Sequence, residues 1–164
     1  MLNTLSRTWI LVPLFVATIL IGYSFSFVQT AAGGPLLDVL GSGVEAKARL
    51  VEMNAEQKQA HFWGTVLNDT AYPLAYGGLF AGLIWRFAGD LRRWFVLPAL
   101  AVIVVDLAEN TTQAMALSGN DSLLGLKDIL TPAKFGLFFL AAFNVLISIG
   151  LAIVRRVRNR PPAA

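Results

Sequence analysis

Four apolar stretches occupy most of this chain, each close to the roughly 20 residues that an α-helix needs to cross a bilayer, and one of them carries two carboxylates near its middle. That stretch reads VLPALAVIVVDLAENTTQAMAL and holds Asp106, Glu109, Asn110 and Gln113. A charged side chain at a bilayer centre costs roughly 2.5–3.5 kcal/mol on insertion scales, so it faces the protein interior and marks a site. The pair restricts the fold to helices packed around a polar interior.

The rest of the composition agrees. Of 164 residues, 56% are hydrophobic and only 14% charged, which is too apolar for an ordinary soluble domain. The apolar cores of the four spans are Thr8 to Val28, Phe62 to Arg86, Trp94 to Leu117 and Phe135 to Val154. With flanking turns, the expected organisation is one all-α membrane domain, a four-transmembrane-helix bundle. Its spans are 8–28, 57–86, 94–117 and 132–155, with an outer loop and short amphipathic surface helix over 29–56 and a basic tail over 156–164. The absence of cysteine removes disulfides, thiol nucleophiles and thiolate metal sites. The first span follows Arg7 as a signal peptide would, but it runs without charge from Thr8 to Leu37, longer than the roughly 7–15 residues of an h-region. It is expected to remain as a helix.

Lysine and arginine counted by side set the orientation. The N-terminus, the loop after the second span and the C-terminal end carry Arg7, Arg86, Arg92, Arg93, Arg155, Arg156, Arg158 and Arg160; the other side carries Lys47, Arg49, Lys58, Lys127 and Lys134. The excess places both termini in the cytoplasm, with the chain as a multi-pass protein of the inner (cytoplasmic) membrane. The same arginines account for the pI near 9.6. No basic face with interleaved aromatics points to nucleic acid.

In the outer loop, Ser42 with Glu45 and Asn54 with Gln57 have capping-box spacing and mark two helix starts. Glu45 and Arg49 are one turn apart, and Val44, Ala48 and Val51 share a face that suits either a membrane surface or a solvated connector. From Asn54 the second span is expected to run unbroken to Arg86, kinked at Pro73. Gly78 and Gly82 allow close helix packing on the side opposite Asp69. Thr131 and Pro132 read as N-cap and first-turn residue of the last span. The C-terminal NRPPAA reads as a short disordered tail.

Chemistry concentrates on two helix faces. Asp106, Glu109, Asn110 and Gln113 stand at i, i+3, i+4 and i+7, and Asp69, Tyr72, Pro73 and Tyr76 repeat that spacing on the second span. At about 1.5 Å per residue, Asp106 lies roughly 18 Å from Trp94 and Asp69 roughly 9 Å from Trp63, so both fall in the outer half of the membrane. Lys134, at the start of the last span, reaches the same layer. Three carboxylates against one ammonium leave excess negative charge, which burial and like-charge repulsion disfavour; the cluster must hold protons or a cationic centre. Asp106, Glu109 and Asp69 are the candidates for acid/base work, and Tyr72, Tyr76, Asn110, Gln113 and Lys134 for holding a ligand. No metal is assigned, because the lone histidine, His61, has no E-x-x-H partner. No cofactor is assigned either, since the chain carries no Gly-rich phosphate loop.

Taken as a set, ND-T-A-YP-L-A-YG, D-L-A-EN and TPAK resemble the D-x-x-YP-x-x-YG and D-x-x-EN signatures of an uncharacterised bacterial family of small four-helix integral membrane proteins. The resemblance spans about residues 36 to 154 and implies an architecture and a polar cluster, with no activity attached. More loosely, the chain is similar to the sterol-isomerase and sigma-2-receptor-like membrane proteins, whose small bundles hold acidic residues in a lipid-accessible cavity. That group's motifs do not occur here in order, so its sterol chemistry is not carried over. The resulting expectation is an outer-leaflet cavity that binds a membrane lipid or small amphiphile, with acid/base isomerase or cyclase chemistry as an extension. The alternative is a non-catalytic membrane subunit or assembly factor, in which the cluster fixes helix packing and a membrane protein or a second copy is the partner. A proton pathway is disfavoured by the dry run Val96 to Val105.

Overall fold

Long runs of Leu, Ala, Phe and Ile with few breakers favour helix, and the computed structural model, which describes residues 1–159, is helical with no strand among them. Six helices organise it: α1 (Thr8–Ala31), α2 (Gly43–Glu52), α3 (Ala55–Trp63), α4 (Thr70–Phe87), α5 (Leu97–Leu117) and α6 (Lys127–Arg158). Two helices, Thr8–Ala31 and Leu124–Arg158, are long and apolar enough to cross a membrane. Helices α4 and α5 carry the polar stripes. α4, α5 and α6 pack on one another, and α1 lies along α4.

Close approach of α1 needs the glycine step of α4. A Cβ on Gly82 would stand 2.6 Å from the Leu5 carbonyl oxygen and 2.7 Å from Leu11, and one on Gly78 would touch Leu14 at 3.5 Å. The step therefore serves packing inside the chain, on a different neighbour from the one the polar stripe meets. Two apolar clusters close the ends of the bundle. One joins Leu36, Leu37, Leu50 and Met53 to Leu117 and Leu124. The other joins Ala81 and Ile84 to Val96, Ala99, Ala141 and Val145. The charged groups lie in the layer between them.

Several local expectations change. The second span is continuous along the chain but contains a π-turn, Gly64–Asp69, between α3 and α4. The disturbance thus sits one turn before Pro73, which cannot donate to the Asp69 carbonyl. The last helix begins at Lys127, not at 132, and Pro132 lies inside it. Thr131 does not cap: its hydroxyl donates to Glu109 Oε1 at 2.6 Å. Arg156 and Arg158, expected in a tail, belong to α6, and positions 160–164 lie outside the described residues.

In the loop, Ser42 accepts from the Glu45 N–H, but the Glu45 carboxylate accepts from Gly41, so only half the box forms. Asn54 and Gln57 form both halves. Arg49 bonds the Ala32 and Pro35 carbonyls and pairs with Glu52 instead of Glu45, because the C-terminal end of α1 presents open carbonyls beside it. α2 packs through Gly43, Ala46 and Leu50, leaving Val44, Ala48 and Val51 exposed. Gly43 touches the backbone of Leu124, and its N–H donates to Asp128.

Candidate functional site

The two polar stripes meet. Tyr76 of α4 donates its hydroxyl to Asp106 Oδ2 of α5 at 2.7 Å, and Asn110 Nδ2 donates to the Asp69 carbonyl oxygen at 2.6 Å. The second contact has a backbone origin. In an α-helix the Asp69 carbonyl would accept from residue 73, and a proline there has no N–H. Asn110 supplies the missing donor from the neighbouring helix.

From the other side, α6 brings two ammonium groups. Lys134 Nζ lies 2.7 Å from Glu109 Oε2 and 3.8 Å from Asp106 Oδ1, and it is ion-paired with Asp38. Lys127, fully buried, is ion-paired with Glu109 Oε1, and its Nζ lies 3.2 Å from the Thr131 hydroxyl oxygen. Glu109 is thus bound by two lysines and a threonine and is itself 0% exposed. Asp38 comes from the short turn Leu37–Val39, whose Leu37 N–H donates to Nε2 of the buried His61 at 3.3 Å. His61, given no ligand role above, anchors the segment that presents Asp38.

Asp38, Asp106 and Glu109 each offer an oxygen within 4.8 Å of the others, a donor set that suits a hard cation. The Lys134 ammonium already pairs with all three, so it holds the position a metal ion would take. The excess of negative charge survives the addition of residues: Asp38, Asp69, Asp106 and Glu109 face Lys127 and Lys134, four carboxylates against two ammoniums.

A half-open cavity of about 190 Å³ adjoins this layer and is lined by Asp38, Asp69, Tyr72, Tyr76, Asp106, Lys134, Phe135 and Phe138. Of the eight residues singled out from the sequence, five line it together: Asp69, Tyr72, Tyr76, Asp106 and Lys134. Glu109 does not, being enclosed by its lysines. Asn110 lines a separate cleft of about 450 Å³ between the π-turn and α5, with Thr65, Thr70 and Thr111. Gln113 lines neither and is fully buried. The single cavity expected from eight residues is therefore an enclosed ion network beside a smaller acidic pocket, and the expected ligand-holding set loses Asn110 and Gln113.

Sequence reasoning missed Asp38, Lys127, Thr131, Phe135 and Phe138 as parts of this region. Lys127, Thr131 and Lys134 stand at i, i+4 and i+7, which is one helix face, and that spacing was the available signal. Comparison of the chain with family models, with curated proteins and with solved structures finds no match. What the site does is accordingly read from its geometry.

Proposed function

We propose that the chain is an integral protein of the bacterial inner membrane with four spanning helices and both termini in the cytoplasm, and that its acidic cavity in the outer half of the bilayer binds the head of an amphiphile. The exposed surface supports membrane residence. Trp9, Phe15, Ile19, Tyr23 and Phe27 on α1, and Phe139, Phe143, Leu146 and Ile153 on α6, are all more than half exposed. The core helix of a soluble protein would bury such residues. α4 and α5 complete the spans, their polar stripes turned inward toward one another and toward α6.

The observation that carries ligand binding is the pocket itself. Its polar floor, Asp69 and Asp106, meets an aromatic wall, and Phe135, 41% exposed, leads from it to the surface of the bundle. A head held on the floor leaves its tail along that exposed apolar face. If the head is converted as well as held, by an isomerisation or cyclisation, Asp69 and Asp106 are the groups placed to move a proton, with Tyr76 hydrogen-bonded to Asp106. Glu109 lies outside that chemistry because two lysines hold it. The Glu109, Lys127 and Thr131 network favours a second reading for part of the cluster, that of a scaffold joining α5 to α6 as in an assembly factor.

Native mass spectrometry of the protein released from membranes in mild detergent tests the proposal. One non-covalent amphiphile per chain is expected on the wild type and is lost from Phe138→Trp, which adds bulk to the pocket wall and replaces no member of the ion pairs. A bare wild type, or an adduct that Phe138→Trp does not displace, would leave only the scaffold reading.

Topology is tested independently. In this cysteine-free chain, Glu56→Cys, Asp90→Cys and Asn159→Cys place single thiols at exposed positions. A membrane-impermeant maleimide applied to intact cells should label only Glu56→Cys. Labelling of Asp90→Cys would invert the protein and put the cavity in the cytoplasmic leaflet.

A further inference from the structure

The ligand class is written in the walls of the acidic pocket. Tyr72, Tyr76 and Phe138 form a continuous aromatic surface, with Tyr72 and Tyr76 ring centroids 5.2 Å apart and Tyr76 and Phe138 also 5.2 Å apart. Their planes meet at steep angles, 67° and 78°, so the rings pack edge to face along one side of the cavity. Aromatic faces carry negative quadrupole potential and attract cations. A neighbouring ring of the same cavity, Phe135, already has a cation over it, the Lys134 Nζ 5.1 Å from its centroid.

Charge points the same way. Lys134 is engaged by Asp38 and Glu109, and Lys127 by Glu109. Asp106 receives the Tyr76 hydroxyl and a distant Lys134. Asp69, 4% exposed, lines the cavity, and its carboxylate has neither an ion pair nor a hydrogen bond among the described residues. An almost fully buried carboxylate without a partner is a costly arrangement. Here it lines a cavity whose other walls are four aromatic rings, two further carboxylates and the already paired Lys134.

Size limits the occupant. At about 190 Å³ the cavity is below the roughly 300–1,000 Å³ of pockets that enclose whole drug-sized molecules. What it encloses is a head of a few heavy atoms, with the rest of a larger molecule left outside.

We infer that the pocket recognises an organic cation: a tertiary or quaternary ammonium head on an apolar tail, with Asp69 as its counter-ion, Asp106 beside it and Tyr72, Tyr76 and Phe138 as its cage. This rests on the amphiphile-binding reading and gives it a ligand class. A neutral Asp69, with Asp38 and Asp106 left to Lys134, is the competing state, and it predicts no preference for positive charge.

The test uses short probes that do not form micelles: hexyltrimethylammonium, its uncharged isostere with a quaternary carbon in place of nitrogen, and hexyl sulfate. Each is titrated by equilibrium dialysis into the full-length protein in neutral maltoside detergent. The cation should bind about tenfold or more tighter than its isostere, and the sulfate more weakly than either. Asp69→Asn should bring cation and isostere to equal affinity while leaving the isostere's own affinity unchanged, and Tyr72→Leu should weaken the cation selectively. A loss of isostere binding in both variants would mean that they deform the pocket. The inference would then be judged on the wild-type ranking alone. Equal affinity for all three probes overturns the cation assignment and leaves amphiphile binding standing; no binding of any probe overturns both.

Discussion

Glu109→Gln should destabilise the fold by about 3–5 kcal/mol, the cost of stranding one member of a buried ion pair. The reason lies in what surrounds it. Lys127 has no exposure, and among the described residues the Glu109 carboxylate is its only charged partner. Glutamine keeps the shape but withdraws the charge, leaving an ammonium in a low-dielectric interior with only neutral groups beside it, the glutamine amide and the Thr131 hydroxyl. Lys134 loses less, since Asp38 and Asp106 remain. The double variant Glu109→Gln, Lys127→Met removes both charges and is expected to recover most of the loss, because a buried pair replaced by groups of similar volume is often close to neutral. Thermal unfolding in detergent, followed for the two single variants and the double, measures the coupling. Additive losses would show that Lys127 and Glu109 do not depend on one another, and the enclosed network would lose its scaffold role.

Asp106→Asn belongs to the other half of the region and behaves differently. It keeps an acceptor for Tyr76 and relieves negative charge, so its cost in stability is small beside that of Glu109→Gln. The contrast separates a network that holds helices together from a pocket that holds a ligand, although the two carboxylates are only three positions apart.

That division is where the sequence stopped being legible. Isolated charges in an apolar run announce themselves, and the i, i+3, i+4, i+7 spacing was enough to turn Asp106 and Asp69 toward a shared interior and to bring Lys134 to them. Periodicity does not say which neighbour each member of a stripe meets. Asp106 and Asn110 differ by four residues and hence by about 40° around the helix at 100° per residue, and that angle sends one to the acidic pocket and the other to the separate cleft. Lys127 was placed in the loop because Thr131 and Pro132 carry the chemistry of a helix start. In the fold the Thr131 hydroxyl goes to Glu109, and the helix begins a turn earlier. Asp38 was out of reach for a different reason. It sits in the loop sequence LLDVL, which folds back through a contact between Leu37 and His61 across 24 positions, and no local pattern encodes such a return. The glycine step on α4 was legible because close backbone approach is a property of residue size alone.

Asn110→Leu is expected to cost about 1–3 kcal/mol, the penalty for leaving a buried backbone acceptor without its donor. The acceptor is the Asp69 carbonyl, which is denied its helical partner by Pro73 and served by Asn110 Nδ2. If that is why the asparagine is there, its value depends on the proline. Pro73→Ala restores an N–H at the position that the Asp69 carbonyl would ordinarily use, so Asn110→Leu in a Pro73→Ala background should cost only a small part of what it costs alone. The cycle also reads out the pocket. Asp69 carries its carboxylate on the residue whose carbonyl Asn110 fixes, so loosening that carbonyl should lower affinity for any ligand on Asp69, and Pro73→Ala should restore it. Equal losses from Asn110→Leu in the two backgrounds would show that the asparagine serves something other than the proline's missing donor; its free Oδ1 beside the separate cleft would then be the group to pursue.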